Sequence, residues 1–205
     1  MTTGVLLMTY GAPRDAADLP RYLAAVRGGR EPAPDLVVEM RWRYEFFGGS
    51  PLVSITRAQA AALEAALGEG HVVGAGMRFS DPSIGVAARD LIERGADRLV
   101  GICMSPQWSP RLMGGYADAL GEAASRAGIP STTAPAWHRE PAFIGATAER
   151  VREVLRDADD TTAIVLTAHS LPKRVFEAEP EYIAQLRETA ELVASAAGLD
   201  RERWH

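Results

Sequence analysis

One histidine occupies a position well suited to catalysis or metal binding. His169 follows the apolar run Ala163–Leu166 after only two residues, and the chain has four histidines in all. A neutral imidazole accepts protons near neutral pH and binds Fe, Zn or Co as a borderline ligand. The position indicates either a metal-handling catalytic residue or a histidine that caps a helix or bonds a turn. His71, His138 and His205 have no such setting and are predicted to lie on the surface.

A tyrosine follows an earlier apolar run in the same way. Tyr10 comes directly after Val5–Thr9 and is followed by Gly11 and Pro13, which are typical turn residues. A phenol at the end of a strand can donate a hydrogen bond, stack on a ligand or ligate ferric iron. Simple packing of the ring is the alternative interpretation.

The segment 27–50 combines cations with aromatic rings. An arginine guanidinium pairs with a carboxylate through two parallel hydrogen bonds. Arginines together with aromatic rings therefore suit a flat, apolar ligand that carries carboxylates. An ordinary amphipathic helix with solvated arginines is the alternative. The Gly48-Gly49 pair lacks the spacing and the lysine of a phosphate-binding loop, so nucleotide binding is poorly supported. The arginines and aromatics are Arg27, Arg30, Arg41 and Arg43 with Trp42, Tyr44, Phe46 and Phe47.

The scaffold that must position these residues is predicted to be an α/β fold. Apolar runs indicate strands, and stretches with apolar residues at helical spacing lie between them. Strands separated by helices pair in parallel, so we expect a doubly wound sheet with ligands beyond the carboxyl ends of its strands. The predicted strands are 5–9, 71–77, 98–104 and 163–166, with a weaker one at 132–134.

The chain is predicted to form two similar Rossmann-like units. The first covers residues 1–130. The second covers residues 131–205 and has too few strands to complete a sheet, so we expect the chain to stop inside a domain. Residues 81–82 are predicted to cap one helix, and residues 116–127 are predicted to form another.

Composition excludes some classes of function. The formal charge of -5 is a poor match for nucleic acid, which usually binds to a basic face. Cys103 is the single cysteine and lies in an apolar run, so it is predicted to be a small buried side chain without a disulfide. No apolar stretch approaches the ~20 residues of a membrane span, and no signal peptide is apparent. A cytoplasmic protein is expected.

Several motifs together resemble the ferrochelatase family in order and spacing, over essentially all 205 residues. The likeness extends to the helical segment that follows the last motif. The motifs are Thr9-Tyr10-Gly11-Ala12-Pro13, Arg43-Tyr44, Gly48-Gly49-Ser50-Pro51-Leu52 with Thr56-Arg57-Ala58-Gln59, Gly76-Met77-Arg78, and Thr167-Ala168-His169-Ser170-Leu171-Pro172.

The resemblance implies a chelatase-type fold and a lyase of haem biosynthesis that inserts ferrous iron into a porphyrin. His169 is then the residue that binds the iron and accepts pyrrole protons. A tyrosine at position 10 resembles the branch that acts on coproporphyrin III, in which it lies over the product iron. The positions that match porphyrin contacts are Tyr10, Arg27, Arg43, Tyr44, Ser50 and Tyr116.

The resemblance also defines what remains open. The family's glutamate that faces the histidine belongs to the C-terminal third, which this chain lacks. Iron is expected as substrate, no cofactor is required, and an iron–sulfur cluster is unsupported because Cys103 is alone. The alternatives are a non-catalytic porphyrin-binding fragment and a hydrolase that uses Ser170. The oligomeric state is not predicted.

Overall fold

The computed structural model describes residues 1–159, 162–169, 171 and 173–205, with the backbone alone for 174 and 175. Its sheet has four parallel strands in the order β2-β1-β3-β4. This confirms the predicted α/β class with a parallel sheet. The strands are β1 (Thr3–Thr9), β2 (His71–Met77), β3 (Arg98–Cys103) and β4 (Ser131–Thr133).

Helices cover both faces of this sheet because its strands carry apolar residues on both sides. Val5 and Leu7 of β1 join a buried cluster with Ala60 of α3. Met8, on the opposite face, lies close to Leu120 of α5 beside Gly101. Successive strand residues point to opposite faces, so an uninterrupted apolar run produces a sheet that is buried on both sides.

The helices lie between the strands along the chain, as the alternation of apolar runs and helical spacing predicts. Helix α2, by contrast with the others around the sheet, has no buried residue. The helices are α1 (Leu19–Val26), α2 (Pro34–Phe47), α3 (Leu52–Leu67), α4 (Ile84–Glu93), α5 (Pro110–Ala127), α6 (Pro141–Leu155), α7 (Lys173–Ala178) and α8 (Pro180–Ala197). A short 3-10 helix, Arg201–Arg203, follows.

The chain divides into two compact units whose segments alternate along the sequence. Unit 1 comprises residues 1–104 and 115–134, and unit 2 comprises residues 105–114 and 135–205. This division differs from the predicted boundary after residue 130, because residues 105–114 group with the second unit. Helix α5 therefore contributes its first turn to unit 2 and the rest to unit 1.

The prediction of a fully formed buried strand at 163–166 was wrong. Ile164 makes one isolated parallel bridge with Trp204, and Val165 is 65% exposed. The pairing rests on three hydrogen bonds, from Ile164 N to Arg203 O, from Leu166 N to His205 O and from His205 N to Ile164 O. In unit 2, over the residues described, this bridge stands in place of the strands predicted for an incomplete second sheet.

Two helix starts also differ from their predictions. Helix α4 is capped by Ser83, whose hydroxyl accepts a hydrogen bond from Val86 N at 3.3 Å, and not by Asp81 and Pro82. Serine is a strong N-cap because its oxygen satisfies a backbone donor of the first turn. Helix α5 begins at Pro110, six residues before the predicted start at Tyr116.

Candidate functional site

In unit 1 the chain turns sharply at the carboxyl end of β1 and presents Tyr10. Gly11 adopts a φ of 91°, a conformation that glycine adopts without strain. Its carbonyl accepts a hydrogen bond from the Tyr22 hydroxyl at 3.1 Å, and Ser80 Oγ accepts one from Ala12 N at 3.1 Å. These contacts fix the turn and leave the Tyr10 side chain 44% exposed.

The end of β2 lies beside that turn, as the parallel pairing requires. Arg78 N donates to Thr9 O at 2.9 Å and Phe79 N donates to Tyr10 O at 3.1 Å, so the pairing continues past the strand ends. The rings of Tyr10 and Phe79 meet edge to face with centroids 4.6 Å apart. The residues that follow β1 and β2 therefore lie side by side at one edge of the sheet.

Tyrosines cluster around this edge. Burial raises the pKa of the Tyr116 phenol to about 12, although the Arg78 guanidinium acts to lower it. Burial also raises the pKa of Tyr22, and Tyr44, Tyr10 and Tyr116 add to that shift, so the four phenols are close enough to interact. The predicted porphyrin contacts Tyr10, Tyr44 and Tyr116 thus all lie near Tyr22 in unit 1.

The pKa values of Tyr10 and Tyr44 are raised in the same way. Burial raises the pKa of Tyr10, and the nearby Arg78 charge opposes that rise. Burial likewise raises the pKa of Tyr44. All these phenols are therefore neutral at physiological pH, and can donate hydrogen bonds or stack on an apolar ligand.

The other predicted contacts of unit 1 are exposed. The guanidinium of Arg43 pairs with Glu39 one turn earlier on α2. Ser50 Oγ accepts a hydrogen bond from Leu52 N at 3.4 Å, ahead of α3. Arg27 ends α1 as its exposed C-cap residue. The contacts described for these residues are local, and none joins them to the tyrosine cluster.

In unit 2, His169 lines a cavity of about 770 Å³. Its side chain is exposed, as a residue that receives a ligand must be. The cavity falls within the size range of small-molecule pockets in proteins. Its wall mixes apolar and polar groups from α6, α8 and the segment after β3, among them Phe143, Thr147, Tyr182, Leu186, Gln107 and Thr189.

Hydrogen bonds fasten one wall of that cavity. Gln107 Nε2 donates to Thr189 Oγ1 at 2.9 Å, and Trp108 N donates to Gln185 Oε1 at 2.7 Å. Thr189 Oγ1 in turn donates to Gln185 O at 2.8 Å. Arg111 also forms an ion pair with Glu179, at 3.3 Å. The segment 105–114 is thereby held to helix α8.

The prediction that His138 lies on the surface was wrong. The residue is 6% exposed, and its Nε2 lies 3.0 Å from Glu188 Oε2. Arg139 Nε lies 2.7 Å from the other oxygen of the same carboxylate. Within the described residues, Nδ1 of His138 is buried without a hydrogen-bond partner. These contacts assign His138 to the support of α8.

The sequence motif Gly76-Met77-Arg78 placed Arg78 at the end of β2, where ligands bind in such folds, but did not predict which side chains it contacts. Phe79 and Tyr22 were not among the predicted site residues, although Phe79 follows the same strand end. Cys103 is buried as predicted, and burial raises the pKa of its thiol to about 11, so it is an unreactive thiol at neutral pH. Ser170 of the hydrolase alternative lies outside the described residues.

Two kinds of feature are absent from the part of the chain that the structure describes. Over the described residues, no group of three or more His, Cys, Asp or Glu side chains could hold a metal ion. No described helix is long and apolar enough to span a bilayer.

Comparison of structures supports the fold class. A crystal structure of the sirohydrochlorin chelatase SirB from Bacillus subtilis subspecies spizizenii, in complex with cobalt, matches with a TM-score of 0.54 and 13% identity. The match covers 98% of this chain and 65% of that one. The protein thus has a chelatase-type α/β fold.

Comparison of sequences identifies the family. The ferrochelatase family model matches residues 2–205. A ferrochelatase from Deinococcus radiodurans is 36% identical, over 98% of this chain and 67% of its own. Coproporphyrin III ferrochelatases from Anoxybacillus flavithermus and Bacillus subtilis are 33% and 32% identical, over 96% of this chain and 66% and 67% of theirs. The chain belongs to the ferrochelatase family, whose enzymes insert a metal ion into a porphyrin, and it spans about two thirds of the length of these relatives.

Proposed function

We propose that this protein inserts ferrous iron into a porphyrin in haem biosynthesis and that the porphyrin is coproporphyrin III. The observation that supports the proposal most directly is the exposed imidazole of His169 on the wall of a cavity of about 770 Å³. Because the ferrochelatase family model matches residues 2–205, we interpret this imidazole as the group that handles the iron.

The reaction converts Fe²⁺ and a free-base porphyrin into the iron porphyrin and two protons. His169 receives the iron and accepts one of the pyrrole protons. A neutral imidazole has one available lone pair, which serves for binding a metal or a proton. The iron must therefore leave the imidazole before the imidazole takes its proton. Iron is the substrate here, and the proposal requires no resident cofactor.

Residues of unit 1 bind the porphyrin. Tyr10, Tyr44 and Tyr116 supply neutral aromatic faces for a flat macrocycle, and the pKa shifts from burial keep the phenols protonated. Arg27 and Arg43 are exposed cations that suit carboxylates, and Ser50 adds a hydroxyl. Binding energy from such remote groups can hold the macrocycle bent, which exposes its nitrogen lone pairs.

Coproporphyrin III fits this composition because it carries four propionates. Several of the relatives, including those from Anoxybacillus flavithermus and Bacillus subtilis, are coproporphyrin III ferrochelatases. Tyr10 at the end of β1 is the residue that would lie over the product iron.

An iron insertion assay with the His169→Ala variant tests the function. We expect the variant to lose insertion, by at least the ~100-fold that a proton-transferring residue commonly contributes, and to keep most of its porphyrin affinity. Porphyrin fluorescence follows both quantities, with coproporphyrin III and protoporphyrin compared side by side. His71→Gln, at the start of β2, is the matched control and should keep wild-type turnover.

Other outcomes would redirect the proposal. Equal turnover of the His169→Ala variant and the wild type would remove the role of His169. Tight porphyrin binding by the wild type without insertion would favour a non-catalytic porphyrin-binding polypeptide. The cytoplasmic location remains a prediction that cell fractionation can check.

A further inference from the structure

Arg78 lies at the centre of an aromatic array in unit 1. Its Cζ is 5.0 Å from the centroid of the Tyr116 ring and 5.1 Å from that of the Phe79 ring. Phe79 in turn meets Tyr10 edge to face, with centroids 4.6 Å apart. Both cation–ring distances fall inside the ~6 Å range of a favourable cation–π contact. One guanidinium thus links two of the proposed porphyrin contacts, one at each end of the array.

The guanidinium rests against helix α5 where that helix lacks a side chain. A Cβ on Gly115 would stand 2.7 Å from Arg78 Cζ, whereas real Cβ atoms essentially never approach another heavy atom within 3.0 Å. The neighbouring Gly114 would gain a Cβ in open space. Glycine destabilises a helix interior relative to alanine. At position 115 the structure supplies a steric reason for it, namely room for Arg78.

We propose that Arg78 is a positioning residue of the porphyrin site, and that Gly115 provides the space that lets it act. Seated against the bare helix backbone, the guanidinium holds the Tyr116 ring on one side and, through Phe79, the Tyr10 ring on the other. A planar guanidinium stacks on rings in a way that a lysine ammonium does not, so the role is specific to arginine. The inference rests on the proposed function, in which Tyr10 and Tyr116 contact the porphyrin.

The first test reads the tyrosines without any porphyrin. The chain has five tyrosines, so 3-fluorotyrosine labelling gives five ¹⁹F NMR signals, which Tyr→Phe variants assign. Gly115→Ala and Arg78→Met should shift or broaden the signals of Tyr10 and Tyr116. Tyr182, on α8 in unit 2, should keep its signal. Gly114→Ala is the matched control and should move neither Tyr10 nor Tyr116.

The second test measures porphyrin affinity in the same variants. Gly115→Ala and Arg78→Met should weaken binding about tenfold, which corresponds to ~1.4 kcal/mol, and Gly114→Ala should bind as the wild type does. Arg78→Lys should restore the affinity only in part, because it returns the charge without the planar fork.

The outcomes separate this inference from the function on which it rests. Unmoved Tyr10 and Tyr116 signals in Arg78→Met would overturn the positioning role, and so would moved signals with unchanged porphyrin affinity. Equal effects of Gly114→Ala and Gly115→Ala would do the same, because they would reflect the helix and not Arg78. If the wild type binds no porphyrin, the proposed function fails, while the fluorine signals still decide whether Arg78 orders the rings. Arg78→Met carries both tests if Gly115→Ala does not fold.

Discussion

At the scale of single residues, Tyr10 combines a firmly held backbone with an accessible side chain. Its backbone is held by the Gly11 turn and by the pairing with Phe79, while almost half of the side chain is exposed. A rigid backbone under an accessible phenol is the arrangement that orients a ligand without rearrangement, and such preorganisation saves the free energy of ordering on binding.

Substitution of Tyr10 by phenylalanine tests whether its oxygen reaches the product iron. We expect the absorption spectrum of the ferric porphyrin complex to change in Tyr10→Phe, because the variant lacks the phenol oxygen, which in the wild type gives up its proton when it ligates the ferric iron. Tyr22→Phe removes the hydrogen bond to the Gly11 carbonyl but keeps the Tyr10 hydroxyl, so its spectrum shows separately what a loosened turn contributes. Identical spectra for wild type and Tyr10→Phe would refute ligation by Tyr10.

Asp18 illustrates how a single buried charge stabilises the same region. Its carboxylate accepts hydrogen bonds from Arg21 at 2.6 and 2.9 Å and from Arg14 N at 3.1 Å. The bond from the Arg21 side chain is the main reason that the pKa of Asp18 falls to about 2 from an ordinary 3.8. Asp18 is also the N-cap residue of α1, although its side chain makes no capping bond there.

A lowered pKa in the folded state has a definite sign for stability. The contribution of Asp18 is fully present above its unfolded pKa near 4 and is lost as the pH falls toward 2. We expect Asp18→Asn to lower the free energy of unfolding by up to about 2 kcal/mol at neutral pH and to flatten its dependence on pH between 4 and 2. Urea unfolding across that range measures both effects. Asp35→Asn, exposed in the first turn of α2, should change little.

At the scale of elements, helix α8 depends on polar contacts as much as on its apolar stripe. Val193 and Ala194 are its buried residues, while Gln185, Glu188 and Thr189 all bond to other segments of unit 2. The bonds of Arg139 and then His138 lower the pKa of the Glu188 carboxyl. The helix that carries one wall of the His169 cavity is therefore anchored by charge.

The charge of Glu188 predicts a local effect that depends on pH. Because the folded pKa is lowered, its stabilisation is present above the unfolded pKa and is lost as the pH falls through the folded one. Glu188→Gln should speed amide hydrogen exchange in α8 at neutral pH, and the difference from wild type should shrink in acid. Mass spectrometry of peptides from α8 follows both. Equal exchange in the two proteins at neutral pH would contradict the anchoring role, and Glu149→Gln on the exposed side of α6 is the control.

At the scale of the whole molecule, the sequence predicted most elements of unit 1 because local patterns and burial agree there. The runs at 5–9 and 71–77 are long, apolar and flanked by turn residues, and both form parallel strands. The run at 163–166 is equally apolar but forms one bridge, since a strand needs a neighbour to receive its backbone hydrogen bonds. Composition does not reveal whether that neighbour is present.

The candidate site was predictable in part for a similar reason. Motif position led to Tyr10 and His169, since both follow apolar runs directly or nearly so. The contact of Arg78 with Tyr116 and the burial of His138 depend on side chains that meet across long sequence separations. The periodicity of one sequence holds no information on such pairs. The reason for a glycine at position 115 is likewise visible only in the structure, where Gly115 makes room for Arg78.

The segment 105–114 has a practical consequence for anyone who wishes to study half of this protein. A gene cut after residue 130, where the sequence suggests a boundary, would leave Gln107, Trp108 and Arg111 on one polypeptide and their partners Thr189, Gln185 and Glu179 on the other. Neither fragment would be a native half. Dissection of this enzyme into separately expressed pieces has to respect a tertiary grouping that crosses the linear order of the gene.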